Sequence, residues 1–345
     1  MRTVKDLIIK NKRVLVRCDF KIPINEDGDI LDDFKIRSTV PTIQYLIDAN
    51  AKIILMSHLG EPNGMVVEKL KFDKIQENLL KHLDLSITKA KDCIGADIEK
   101  WTKRMQVGEI LLLENLRFHK EEEEGDLGFT KKLAKLGDIF LNDAFASSHR
   151  NHASFKVAKY LPCAAGLLLE KEVKALNQIK DNSSQLVVIL AGKAKGIETK
   201  IKLINAISDK ADFILLGNLV ADELQKRNFK PEFPNKIIFP LDSNSGLDIG
   251  PETIKFFKQK ILSAKTIFWS GPLGKIEEKV FSKGSKEIIK DIINSKAFSI
   301  VGGGETCWFI NSLGLAKKFN HLSTGGDALL LFLSGEKLPG IEALN

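Results

Sequence analysis

The chain has little of several things that would place it quickly. Four cysteines, at 18, 93, 163 and 307, stand far apart in 345 residues, with no CxxC pair. That spacing excludes a disulfide framework or a zinc-finger-like site and leaves free, mostly buried thiols as the expectation. Ten prolines and no biased tract exclude collagen-like and low-complexity architecture. No apolar run reaches the ~20 residues of a membrane-spanning helix; the longest are segments such as Leu161 to Leu169. The start, MRTVKDLIIKNKR, has no leader-like apolar core, so a cytoplasmic protein without a membrane partner is expected. Neither GxxxxGK[ST] nor GxGxxG occurs, which argues against a P-loop and a standard dinucleotide fold. Arginine is scarce too, eight of the 52 basic residues, at 2, 13, 17, 37, 104, 117, 150 and 227. An arginine kept in so lysine-rich a chain hints at a geometric need for a planar fork.

What is there is a chain long enough for two cores, 43% hydrophobic and 28% charged. Its net charge of +7 and pI near 9.0 suit phosphorylated metabolites or nucleic acid. The lysines form no stripe and no aromatics interleave them, so no nucleic-acid partner is expected. Short β-branched or leucine-rich runs alternate with helix-period segments, the pattern of doubly wound parallel sheets. The predicted strands are Val14 to Arg17, Lys52 to Met56, Ile110 to Leu113, Ile139 to Leu141, Leu186 to Leu190, Phe213 to Leu216, Ile237 to Phe239, Thr266 to Trp269 and Phe298 to Val301. A helix at 167–180 joins two halves, with the boundary in Asp181 to Gln185. The run Glu121 to Glu124, closed by Gly125, reads as a solvated loop.

Ligands of doubly wound folds collect beyond the carboxyl ends of strands. In the first half those loops are DFKIP, SHLGEP, ENLRFH and NDAFASSHRNH, and they bring together His58, Arg117, His149, Arg150 and His152. A basic, histidine-bearing rim suits a small phosphorylated anion. In the second half glycine replaces basic side chains: WSGPLG, VGGGET and STGGDA each follow a strand-like run and open a helix. Backbone amides there are placed to cradle a nucleotide's phosphates.

Eleven segments in order, RVLVRCDFKIP, DDFKIRSTVPTIQYL, SHLGEP, LLLENLRFH, LNDAFASSHRNHAS, AGLLLEKE, GLDIGPETI, WSGPLGKIE, VGGGET, LSTGGDA and LPGIEALN, resemble the phosphoglycerate kinase family over essentially the whole chain. The resemblance implies two doubly wound, Rossmann-like α/β lobes: a 3-phosphoglycerate lobe at 1–166 to which 334–345 return, and a nucleotide lobe at 181–333. It implies a cytoplasmic monomer that transfers a phosphoryl group between 1,3-bisphosphoglycerate and ADP with Mg2+. Carried over residue by residue, substrate falls to Asp19, Phe20, Lys21, Lys35, His58, Leu59, Gly60, Glu61, Arg117 and Arg150. Nucleotide falls to Lys195, Lys200, Gly274, Glu277, Gly302, Gly303, Gly304, Glu305 and Thr306, metal to Glu305, and catalysis to Lys35, Lys200 and Gly303.

The departures from the family pattern are specific. Lys35 stands where the family has a catalytic arginine, Lys21 where it has asparagine, and Glu61 where it has arginine. Lys21 and Lys35 are expected to neutralise Glu61 as a rearranged cluster. Glu305 replaces an aspartate, Asp327 a glycine and Ser270 an asparagine, and the chain is shortened between Leu224 and Gly246. These changes leave open a weak or silent homologue that binds phosphate ligands, or a kinase for another small acyl phosphate.

Overall fold

Strands buried on both faces read as unbroken apolar runs, and VLV at 14–16 and IIL at 53–55 have no exposed residue. The computed structural model describes residues 1–181, 184–194 and 196–345. The chain divides into two units, Met1–Glu172 with Lys337–Asn345, and Val173–Glu336. The first unit's sheet has β1 (Arg13–Arg17), β2 (Lys52–Met56), β3 (Ile87–Lys89), β4 (Ile110–Leu112), β5 (Ile139–Asn142) and β6 (Cys163–Ala165). Their order is β3-β4-β2-β1-β5-β6, every pair parallel. In the second unit are β7 (Leu186–Leu190), β8 (Phe213–Leu216), β9 (Ile237–Ile238), the antiparallel ribbon β10 (Ser243–Asn244) and β11 (Asp248–Ile249), β12 (Thr266–Ser270), β13 (Phe298–Gly302) and β14 (His321–Leu322). Six of these make a parallel sheet in the order β14-β13-β12-β7-β8-β9. Two doubly wound α/β units are what the strand–helix alternation predicts.

Register sets the site. Arg17 at the end of β1 pairs with Met56 of β2 and Asn142 of β5, so three loops leave the sheet at one level. In the second unit Ser270 pairs with Leu190 and Gly302, which aligns the loops after β7, β12 and β13.

Several elements differ from expectation. β3, β6, β10, β11 and β14 are not predicted: β3, β6 and β14 are edge strands of two or three residues, β10 and β11 a ribbon of two residues each, and Cys163–Ala165 lacks the β-branched side chains that mark a strand. The glutamate run is the helix Lys120–Glu124, with Glu122 fully buried. The joining helix spans Leu167–Asp181, while Asn182 and Ser183 of the expected boundary lie outside the described residues. None of the four cysteines forms a disulfide, and three of them are buried. Among the described residues no helix is long and apolar enough to cross a membrane.

Asp143, just past β5, accepts from the Leu168 amide at 2.9 Å and the Leu169 amide at 3.3 Å, capping the joining helix. Burial pushes its carboxyl up to about 7, and Glu172 adds to the rise. A raised carboxyl contributes stability that is full below its unfolded pKa and is lost as pH climbs through about 7. Asp143 should therefore withdraw up to about 4 kcal/mol of stability between pH 4 and 7.5, and Asp143→Asn should lose that part of the wild-type slope. Urea midpoints at the two ends of the range test this; equal slopes in the two proteins would refute it.

Candidate active site

The crest of the first unit is assembled by polar side chains that tie its loops together. The Ser57 hydroxyl accepts from the Phe20 amide and donates to the Cys18 carbonyl, both at 2.8 Å. Asn115 Oδ1 accepts from the amides of Leu59 and Arg117, and its Nδ2 donates to the carbonyls of Leu59 and Leu70. Phe20 packs edge-on against Phe72 in the core. Leu59 is buried and clamped by Asn115, so these two expected substrate residues hold loops rather than present side chains. Gly60, at φ +65°, offers its carbonyl to Arg117 Nη1 at 2.8 Å; a Cβ there would lie 2.8 Å from a Leu70 methyl.

On this frame stand the charged groups. Lys35, from the helix Phe34–Asp48, donates to Asp19 Oδ1 at 3.0 Å. Burial pushes the Asp19 carboxyl up, but Lys35, then His58 and Arg17, more than offset it, and it lies well below the usual range. Glu61 does not join Lys35. Its two oxygens take Lys21 Nζ and Arg117 Nη1, so the expected neutralising partner Lys35 is replaced by Arg117. Arg117 is 4% exposed and its Nε also lies 3.3 Å from Glu123. Those two bonds outweigh burial and hold Glu61 below the ordinary glutamate range. His58 is driven well below the usual histidine value by burial first, then by Arg17, Arg117 and Lys35. Arg150 stands exposed on the loop after β5, its guanidinium without a hydrogen bond or ion pair among the described residues. Arg37 pairs with Asp33 on its own helix, away from Asp19.

The second unit places a cleft of about 250 Å³ at the carboxyl ends of β7, β8 and β12, lined by Gly192, Gly217, Leu247, Pro272, Gly274 and Glu277, with Lys193 and Glu305 beside them. The wall of this cleft includes Leu219, Gly246 and Leu247, on either side of the segment from Leu224 to Gly246 where shortening is expected. Gly303, at φ +91°, turns the chain from β13 into the helix Gly304–Ser312, whose start has no side-chain cap. Gly302 packs on Leu329, whereas nothing lies within 4 Å of a Cβ built on Gly304. Thr306, fully buried in the first turn, has a hydroxyl with no hydrogen-bond partner among the described residues. Lys193 pairs with Glu305. Lys200 is buried and gives its ammonium to the Lys193 carbonyl at 2.8 Å; burial lowers its pKa against the pull of Asp327. Lys195 lies outside the described residues.

One cluster of three potential metal donors exists among the described residues: Asp92, Cys93 and His119 of the first unit. Asp92 Oδ1 already takes His119 Nε2 at 2.7 Å and the Cys93 amide at 2.6 Å, so it is closed on itself.

Sequence reasoning gave no role to Arg17, Asn115, Ser57 or Glu122, all buried beneath the crest. The available signal was an arginine ending the apolar strand RVLVR.

Two doubly wound units, one with a crest of cations beyond its strand ends and one with a glycine-lined cleft and an uncapped helix start, define a two-lobed α/β phosphotransferase. The family model for phosphoglycerate kinase matches residues 4–230 and 219–336. The phosphoglycerate kinase of Moorella thermoacetica is 37% identical over 389 aligned positions, covering 99% of this chain and 98% of its own. That of Dictyoglomus turgidum is 38% identical over 388, covering 99% and 97%. The crystal structure of the Pyrococcus horikoshii phosphoglycerate kinase superimposes with a TM-score of 0.89 at 30% identity, covering 100% of this chain and 98% of that one. The chain belongs to the phosphoglycerate kinase family.

Proposed function

We propose that this protein is a working phosphoglycerate kinase despite its altered site: it moves a phosphoryl group reversibly between 1,3-bisphosphoglycerate and ADP. The observation that carries this reading is the division of labour between the units, cations at one crest and a glycine cleft at the other. The first unit takes 3-phosphoglycerate on Arg117, Arg150, His58, Lys21 and Lys35. The second takes ADP or ATP, its base in the cleft beside Glu277 and its phosphates at Gly302, Gly303, Gly304 and Thr306.

The acceptor is a carboxylate with no proton to remove, so the protein supplies positioning and charge rather than a base. Lys35, oriented by Asp19, is the cation placed for the moving phosphoryl group. Lys200 backs the nucleotide loop through the Lys193 carbonyl. The Thr306 hydroxyl, without a partner among the described residues, and the half-exposed Glu305 fit a Mg-nucleotide. Glu305 would hold the ion, which would supply neutralising charge to the phosphates, since Mg2+ takes one or two carboxylates beside substrate oxygens. The same reading carries a cytoplasmic monomer, and light scattering tests its mass.

A coupled assay of 3-phosphoglycerate with Mg-ATP, run beside calorimetric titration of each ligand, tests the function. Turnover supports it. Binding without turnover would mean a silent homologue, and turnover only with other carboxylic acids would mean a different acyl-phosphate kinase.

Glu61 fills the Arg117 fork that substrate must enter. Replacing it with glutamine removes a competing anion worth about 1 kcal/mol at this partly exposed position. Glu61→Gln should therefore lower KM for 3-phosphoglycerate by about threefold to tenfold while leaving KM for ATP unchanged. Steady-state kinetics decide it, and a raised KM would show Glu61 to be a helper instead.

A further inference from the structure

Beneath His58 lies a fully buried arginine that the reaction scheme does not use. Arg17 Nη2 lies 3.1 Å from His58 Nδ1. A guanidinium carries five donors and no acceptor, so the imidazole nitrogen facing it must offer a lone pair. Neutral imidazole has one bare nitrogen and one N–H, so the proton sits on Nε2. An imidazolium would set N–H against N–H. Among the described residues Nε2 bonds no protein atom, and Asp19, Lys35 and Arg117 are the charged crest groups that act on the ring with Arg17.

The fork has no freedom to turn away. Its Nε donates to Ser154 Oγ at 2.9 Å, its Nη1 donates to the Cys18 carbonyl, and its plane lies over the Phe155 ring at 5.2 Å. Glu122 balances its charge at 3.7 Å and is itself fixed by the Ser154 amide at 2.9 Å and hydroxyl at 2.6 Å. A single ammonium could not serve the histidine, the serine and the carbonyl in this planar arrangement.

We infer that Arg17 is a positioning residue that fixes His58 as the neutral Nε2–H tautomer, so that His58 meets the substrate's anionic group as an oriented hydrogen-bond donor and takes no proton in the reaction. The substrate contact rests on the crest being the 3-phosphoglycerate site; the tautomer does not.

Long-range proton–nitrogen correlation spectra of 15N-histidine-labelled, ligand-free protein, assigned with His58→Gln, read the tautomer directly. A pure Nε2–H pattern that does not titrate from about pH 6 to 8 is expected; an Nδ1–H or imidazolium pattern would overturn the inference. Arg17→Met combined with Glu122→Gln removes the donor without stranding a buried charge. That variant should show mixed tautomers and a KM for 3-phosphoglycerate raised about tenfold, with kcat within about threefold. An unchanged His58 pattern in it would overturn Arg17's role, and should the variant fail to fold, the wild-type spectrum still decides. Addition of 3-phosphoglycerate should shift the Nε2–H resonance. A fixed tautomer whose resonance does not move would instead remove the crest as the substrate site.

Discussion

Lys35→Ala should lower kcat by about 10³-fold while KM for 3-phosphoglycerate changes far less. The loss is expected to fall on kcat because an ammonium placed for the moving phosphoryl group is most valuable when that charge develops, and one preorganised donor in such a site is worth ~10²–10³ or more. The expectation rests on its geometry: Lys35 is bonded to the buried Asp19, at 3.0 Å, from the first turn of its helix. No neighbour takes over, since Arg37 is engaged with Asp33 and Lys21 with Glu61. Lys35→Arg should retain most of the rate, because a longer fork keeps the charge in place. A loss below tenfold in the alanine variant would put the transition-state charge elsewhere.

Glu122→Ala should cost about 3–5 kcal/mol of stability, the penalty for stranding one member of a buried ion pair. Arg17 and Glu122 are both fully enclosed, and Glu122 also accepts from Ser154 twice. Glu124→Ala, two residues along and exposed, should change stability by no more than about 0.5 kcal/mol. Urea unfolding of the two variants makes the comparison, and equal midpoints would contradict it.

That contrast also explains where the sequence stops being readable. A run of four glutamates looks uniformly solvated, because composition carries no record of which turn of a helix faces a buried arginine. Only tertiary packing singles out Glu122. The long apolar strands of both sheets were legible from their unbroken hydrophobic runs, whereas Ile87–Lys89, Cys163–Ala165 and His321–Leu322 are too short to carry a period. At the crest the residue types and their strand-end positions were legible, and so was Lys21 as a partner of Glu61, but not the second partner: Arg117, rather than Lys35, takes its other oxygen. Phe20 and Leu59 follow the family motif in sequence, yet serve the loops by packing and by the Asn115 clamp.

The short helix Pro339–Glu342 bears on how the chain is made. Gly340 donates to the Ser148 carbonyl at 2.8 Å and accepts from Asn142 Nδ2 at 2.8 Å, pressed so closely on Ser148 and Phe155 that any side chain would collide. Residues 337–345 therefore complete the first unit only after the entire second unit has left the ribosome. The half translated first is finished last, and until then the carboxyl end of β5 waits with Asn142 uncovered. A nascent chain stalled at residue 330 should consequently show a protease-sensitive N-terminal half, one that becomes resistant when translation resumes.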